Sequence, residues 1–239
     1  MTKEHIWAAS LIRKYESLLT YSKKTHRFYK GEATIRDVCA QCNNVVLSAL
    51  DEYLADLFDK FFRRFLNPGE QAALEYDYDM LLRALLKVSY NSSRSSGNDI
   101  ASKYLKRYVK YIMEGSYRGD VMLRLQVVTS SRLVDLEGTD YGVLNPELLR
   151  CGQVPYDGVL SERFIIRLVA LNCFWFFIII PKKNESKHKW KVLLDGLSSW
   201  RGMPHGVLVR PETKSVVIPP GKTTYFDPVL MDSMKDAAR

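Results

Sequence analysis

The stretch Asp37-Val-Cys-Ala-Gln-Cys-Asn-Asn44, read together with Thr2-Lys-Glu-His-Ile6, decides how this chain is organised. Cys39 and Cys42, two residues apart, can converge as thiolates on one tetrahedral zinc ion and would supply two of its four ligands. The plainer reading is a pair of buried free thiols. Asn43 and Asn44 fall where a helix should begin. A carboxamide there can cap the helix or offer its oxygen to a hard divalent cation. Near the start of the chain, Glu4 sets an oxygen donor beside His5, an imidazole that can accept a proton near neutral pH. The plainer reading of His5 is an ordinary surface histidine.

Working outward, Thr34-Ile-Arg-Asp-Val38 reads as the strand that delivers the cysteine pair. From Asn43 to about Leu66, Leu47, Leu50, Leu54, Leu57, Phe58, Phe61, Phe62 and Phe65 recur every three or four residues, the period of an amphipathic helix. Ser48 with Asp51 could instead cap a fresh helix, which would place a break near Leu47. Asn67-Pro-Gly-Glu70 ends the run. A second helix is predicted over Tyr78–Ser93. A third is predicted over Asp99–Glu114, capped by Asn98 or Asp99.

Two basic clusters stand out. Arg13, Lys14, Lys23, Lys24, Arg27 and Lys30 are interleaved with Tyr21, Phe28 and Tyr29, opposed by Glu16. Lys103, Lys106, Arg107 and Lys110 share one side of the third helix. Basic side chains mixed with aromatics can follow a phosphate backbone and stack on bases. A solvated loop and a solvated helix face are the plainer readings.

After Gly119 the texture changes to strands over 121–128, 163–171, 173–180, 190–194, 206–210 and 215–218, separated by turn residues. They predict a mainly antiparallel sheet of five or six strands. Phe164 to Ile180 is apolar enough to suggest a membrane span. Arg167 and Asn172 interrupt it, it is shorter than the roughly 20 residues a helix needs to cross, and its Ile, Val, Phe and Trp favour extended chain. It reads as two buried strands hinged near Asn172. The expected fold class is α+β, with a boundary near residue 118.

The 239 residues carry a net charge of +8, with 46% hydrophobic and 12% aromatic residues. That composition excludes a disordered chain and favours a polyanionic partner. Four cysteines without regular disulfide spacing, and no leader segment, point to a reducing cytoplasm. No Walker loop, Gly-x-Ser-x-Gly elbow or Gly-x-Gly-x-x-Gly is present.

Glu4-His5 followed by Cys39-x-x-Cys42-Asn43-Asn44 resembles the signature of the HNH (ββα-metal) endonucleases. The passage Leu81-Leu-Arg-Ala-Leu-Leu-Lys-Val-Ser-Tyr-Asn-Ser-Ser-Arg94 is similar to the helical extension of bacterial HNH-like proteins. The family's usual upstream Cys-x-x-Cys has no counterpart before Glu4. The resemblance implies an HNH-like unit with its helical extension over residues 1–118, followed by a β region over 119–239.

It further implies metal-dependent cleavage of DNA, in a mobile-element or anti-phage setting. His5 would be the general base and Thr34 would stand where the family's orienting Asn lies. Glu4 with Asn43 or Asn44 would hold Mg2+ or Mn2+, and Cys39 and Cys42 would hold a structural zinc. Lys23, Lys24, Arg27, Lys30, Lys103, Lys106, Arg107 and Lys110 would contact nucleic acid, with no membrane partner. The rival expectation keeps the fold without the chemistry, as a nucleic-acid-binding or protein-interaction module.

Overall fold

The computed structural model describes the chain except for residues 1, 17–18, 23–26, 31, 117–118, 136, 155–158, 184–185, 187, 190–191, 193–205 and 220–239. Helices and antiparallel sheets together make an α+β fold. The first unit is a ribbon of β1 (Thr2–His5) and β4 (Thr34–Val38), in which His5 lies opposite Thr34 and Glu4 opposite Ile35. Between them come the short α1 (Ala9–Ile12) and a hairpin of β2 (Leu19–Ser22) with β3 (Arg27–Lys30). The basic loop expected there is thus at least partly a paired ribbon.

The ribbon leads straight into one long helical run. A π-helical turn (Cys42–Leu47), α2 (Ser48–Leu57) and a second π-helical turn (Phe58–Phe62) follow without interruption. No break occurs at Leu47. Ser48 Oγ donates back to the carbonyls of Asn44 at 2.7 Å and Val45 at 3.2 Å, so its hydroxyl serves the preceding turn rather than a new one.

After β5 (Ala72–Glu75) comes α3 (Tyr78–Ser95), started by Asp77, whose carboxylate accepts from Met80 N at 3.0 Å. This helix is the axis of the molecule. It buries residues almost all round its circumference, Lys87 among them. The expected third helix is divided into α4 (Asp99–Leu105), a 3-10 turn (Lys106–Tyr108) and α5 (Val109–Glu114). Asn98 is its cap, accepting from Ala101 N at 3.0 Å.

The second half contributes β6 (Met122–Val127), a separate hairpin of β7 (Ser131–Val134) with β8 (Asp140–Leu144), and β9 (Leu149–Gln153). It also contributes β10 (Phe164–Leu171), β11 (Phe174–Pro181), β12 (Val207–Val209) and β13 (Ser215–Ile218). A five-stranded antiparallel sheet runs in the order β12-β6-β11-β10-β9. β13 leaves it to pair with β5. The strand expected over 190–194 lies almost wholly outside the described residues.

Alternation in the sheet is strict. Ile165, Val169, Phe174, Phe176 and Ile178 face the helices. Phe164, Ile166, Leu168, Trp175 and Phe177 form a second buried cluster. The first cluster also reaches from Ile6 to Ile218, so residue 118 marks a change of texture and not a gap in the core. Phe62 brings the helical run into that core, its ring 4.9 Å from Phe174 and 5.6 Å from Phe176.

The apolar run at 164–180 folds as two buried strands, and no helix among the described residues is long and apolar enough to cross a membrane. Its two polar interruptions each have a structural use. Arg167, fully buried, donates from Nε to Ser89 Oγ at 2.9 Å and ties the sheet to α3. Asn172 turns the hairpin with φ 52, a left-handed conformation that Asn adopts more readily than most residues.

The Asn172 carboxamide oxygen accepts from Tyr15 OH at 2.8 Å and Leu148 N at 3.2 Å, and its nitrogen donates to the Phe62 carbonyl at 2.9 Å. Asn172→Ala leaves these groups without partners and strains the backbone, a loss of about 3 kcal/mol in a denaturation midpoint experiment. Asn172→Gly relieves only the strain and should recover about 1 kcal/mol of it. Equal stability of the two variants would show that the backbone conformation contributes nothing.

Candidate functional site

The head of the helical run and the start of β1 meet. Asn43 Nδ2 donates to Thr2 Oγ1 at 3.2 Å and to the Lys3 carbonyl at 3.0 Å. Thr2 Oγ1 in turn donates to the Val38 carbonyl at 3.1 Å. Ribbon and helix are therefore pinned at the Thr2–Lys3 end of β1, while His5 ends the strand at its other end. Asn44 is exposed on the same first turn.

Glu4 and His5 have different surroundings. Glu4 is 3% exposed and its Oε1 lies 2.5 Å from Lys87 Nζ on α3, a close ion pair without hydrogen-bond alignment. The same ammonium donates to Asp51 Oδ1 at 2.5 Å. One lysine thus stands between two carboxylates, and the cluster as a whole is one negative charge over when all three are ionised. Burial pushes the carboxyls of Glu4 and Asp51 above their usual range, and the Lys87 ammonium offsets only part of that rise.

His5 is half-buried, with Nδ1 shielded from solvent and 2.5 Å from Glu32 Oε2, a close ion contact without hydrogen-bond alignment. Thr34 sits across the ribbon from His5 as a backbone neighbour. The side chain that lies against the imidazole, however, is the Glu32 carboxylate.

The expected metal ligands do not assemble. The Glu4 carboxylate is engaged by an ammonium in the space a cation would need, and the Asn43 amide nitrogen is turned to β1. Among the described residues no group of three or more His, Cys, Asp or Glu side chains is placed to hold a metal ion. Glu4, Asn43 and Asn44 do not fit Mg2+ or Mn2+ in this arrangement, and no chemical step through such an ion follows from it. The zinc expectation is also corrected. Cys39 and Cys42 are joined as a disulfide, in which neither sulfur is a thiolate, and the bond runs against the free thiols expected of a reducing compartment. Cys151 and Cys173 are free.

Of the expected nucleic-acid contacts, Lys103, Lys106 and Lys110 are exposed, Lys110 lying 3.8 Å from Glu114. Arg107 is not a free surface cation. It donates to the Pro181 and Tyr104 carbonyls and lies over the Tyr104 ring, 5.3 Å from its centre, so it fastens the helical side to the end of β11. Arg27 and Lys30 begin and end β3. Lys23 and Lys24 lie outside the described residues.

Sequence reasoning missed Glu32, Asp51 and Lys87. Lys87 carried a usable signal, since it interrupts Leu85-Leu86 and Val88 on a helix otherwise apolar there, and a lysine so placed needs an acidic partner. Comparison with known protein families, curated proteins and solved structures finds no match.

Proposed function

We propose that the protein hydrolyses phosphodiester bonds in nucleic acid, DNA foremost, as an HNH-type endonuclease with His5 as general base. One observation carries this reading: His5 ends the first strand of a ββ ribbon that feeds directly into a helix whose first-turn Asn43 is bonded back to that strand. The same order of parts, a strand that ends in the histidine, its partner strand and then the helix, is what the resemblance implies. With Nδ1 against Glu32, Nε2 is the nitrogen left to take a proton from water as its oxygen attacks phosphorus. The bond to the leaving sugar oxygen then breaks. The net charge of +8 suits a polyanionic substrate. A mobile-element or anti-phage setting extends the proposal by resemblance.

A second reading is favoured by the Glu4–Lys87–Asp51 cluster. An internal ammonium that neutralises the expected metal carboxylate suits a module that binds nucleic acid or protein and does not cut. Supercoiled plasmid, single-stranded DNA and RNA, each incubated with Mg2+, with Mn2+ and with EDTA, separate the two. Cleavage by the native protein that is lost in His5→Ala supports the nuclease. Binding with no cleavage of any substrate in any condition supports the module.

A further inference from the structure

We propose that Glu32 is the positioning residue for His5, fixing which imidazole nitrogen carries the proton; its catalytic consequence rests on His5 being the base. The placement follows from the ribbon. Thr34 is the cross-strand partner of His5, and Ile6 N donates to the Ala33 carbonyl at 3.1 Å, extending the pairing past the end of β1. Glu32 is two residues before Thr34 and so occupies the diagonal position on the face that His5 shares. A long side chain there reaches its diagonal neighbour.

The distance fixes the chemistry. The contact is a close approach without hydrogen-bond alignment, and a carboxylate 2.5 Å away favours a proton on that nitrogen, because a bare imidazole nitrogen and a carboxylate oxygen repel. In the neutral ring that proton is on Nδ1, which leaves the lone pair on Nε2. A histidine without such a partner has no fixed tautomer, and part of its population presents a protonated Nε2 that cannot act as a base. Partners that orient metal-bound histidines are typically worth about 10- to 100-fold in activity, and a similar factor is expected of Glu32.

The test reads the ring nitrogens directly. The full chain, labelled with 15N at histidine and held well above the ordinary imidazole range, should show the Nδ1–H tautomer for His5. His5→Gln identifies the resonance by its disappearance. Glu32→Ala should move His5 toward the Nε2–H form, whereas Glu32→Gln, whose amide oxygen still accepts, should retain Nδ1–H. In cleavage assays Glu32→Ala should lower the rate about 10- to 100-fold, with Glu32→Gln in between. A native His5 in the Nε2–H form, or a tautomer unchanged by Glu32→Ala, overturns the proposal. A tautomer that switches as expected in a protein that cleaves nothing upholds the positioning role and removes the nuclease reading instead.

Discussion

His5→Ala is expected to lower cleavage by about 10²- to 10⁴-fold, the usual consequence of removing a general base. The side chain is about one-third exposed and its ion contact is with a similarly exposed Glu32, so folding stability should change by less than about 1 kcal/mol. Binding should persist, because the basic side chains do not depend on the imidazole. The informative measurement is single-turnover cleavage alongside a binding isotherm for the same oligonucleotide. A rate lost with affinity intact assigns His5 to the chemistry. A rate equal to the native one removes it as the base.

Lys87→Met should be the most damaging single substitution for stability, at about 3–5 kcal/mol, because it strands two carboxylates that share one buried ammonium. The methionine fills much of the same volume, so the loss is of charge balance and not of packing. The double variant Glu4→Gln/Lys87→Met should recover part of the loss. Failure to do so would mean that Glu4 and Lys87 act independently.

The same cluster sets a pH dependence for the native protein. Glu4 and Asp51 hold their protons to higher pH folded than unfolded. The unfolded chain releases those protons first, so stability is fully present below the ordinary carboxylate range and falls as pH rises from there through the folded values. Urea midpoints measured upward from about pH 4 should therefore decline, more steeply in Lys87→Met. A midpoint that rises across that interval would mean that both carboxylates are ionised throughout.

Local pattern carried much of the architecture. The three- and four-residue recurrence of Leu47, Leu50, Leu54 and Phe58 predicts the helical run, and Asn98 and Asn172 mark a cap and a turn where the structure has them. What was not legible depends on distant pairing. β5 and β13 are four residues each and lie about 140 residues apart in sequence, and neither has enough alternation to announce the other. Glu4 lies 83 residues from Lys87. Nothing local distinguishes a carboxylate that will face a metal from one that will face an ammonium, because the choice is made by which helix packs against the ribbon. Glu32 was hidden by the same cause, since its contact with His5 depends on the register of β4 against β1.

The strand Phe174–Pro181 has a bearing on how the chain is made. A run of eight residues as apolar and β-prone as this one, exposed to other copies, is the kind that stacks into aggregates. It has no open edge in the finished sheet, being hydrogen-bonded to β6 on one side and β10 on the other. Both neighbours precede it in sequence, so they have left the ribosome when it emerges, and among the described strands of that sheet the short β12, on the far side of β6, is still to come. Synthesis from the N-terminus thus delivers the stickiest segment after both of its neighbours, into a slot whose two walls already exist. A rearranged chain in which residues 164–181 came first would leave the β6-facing edge of that strand open until residues 122–127 followed.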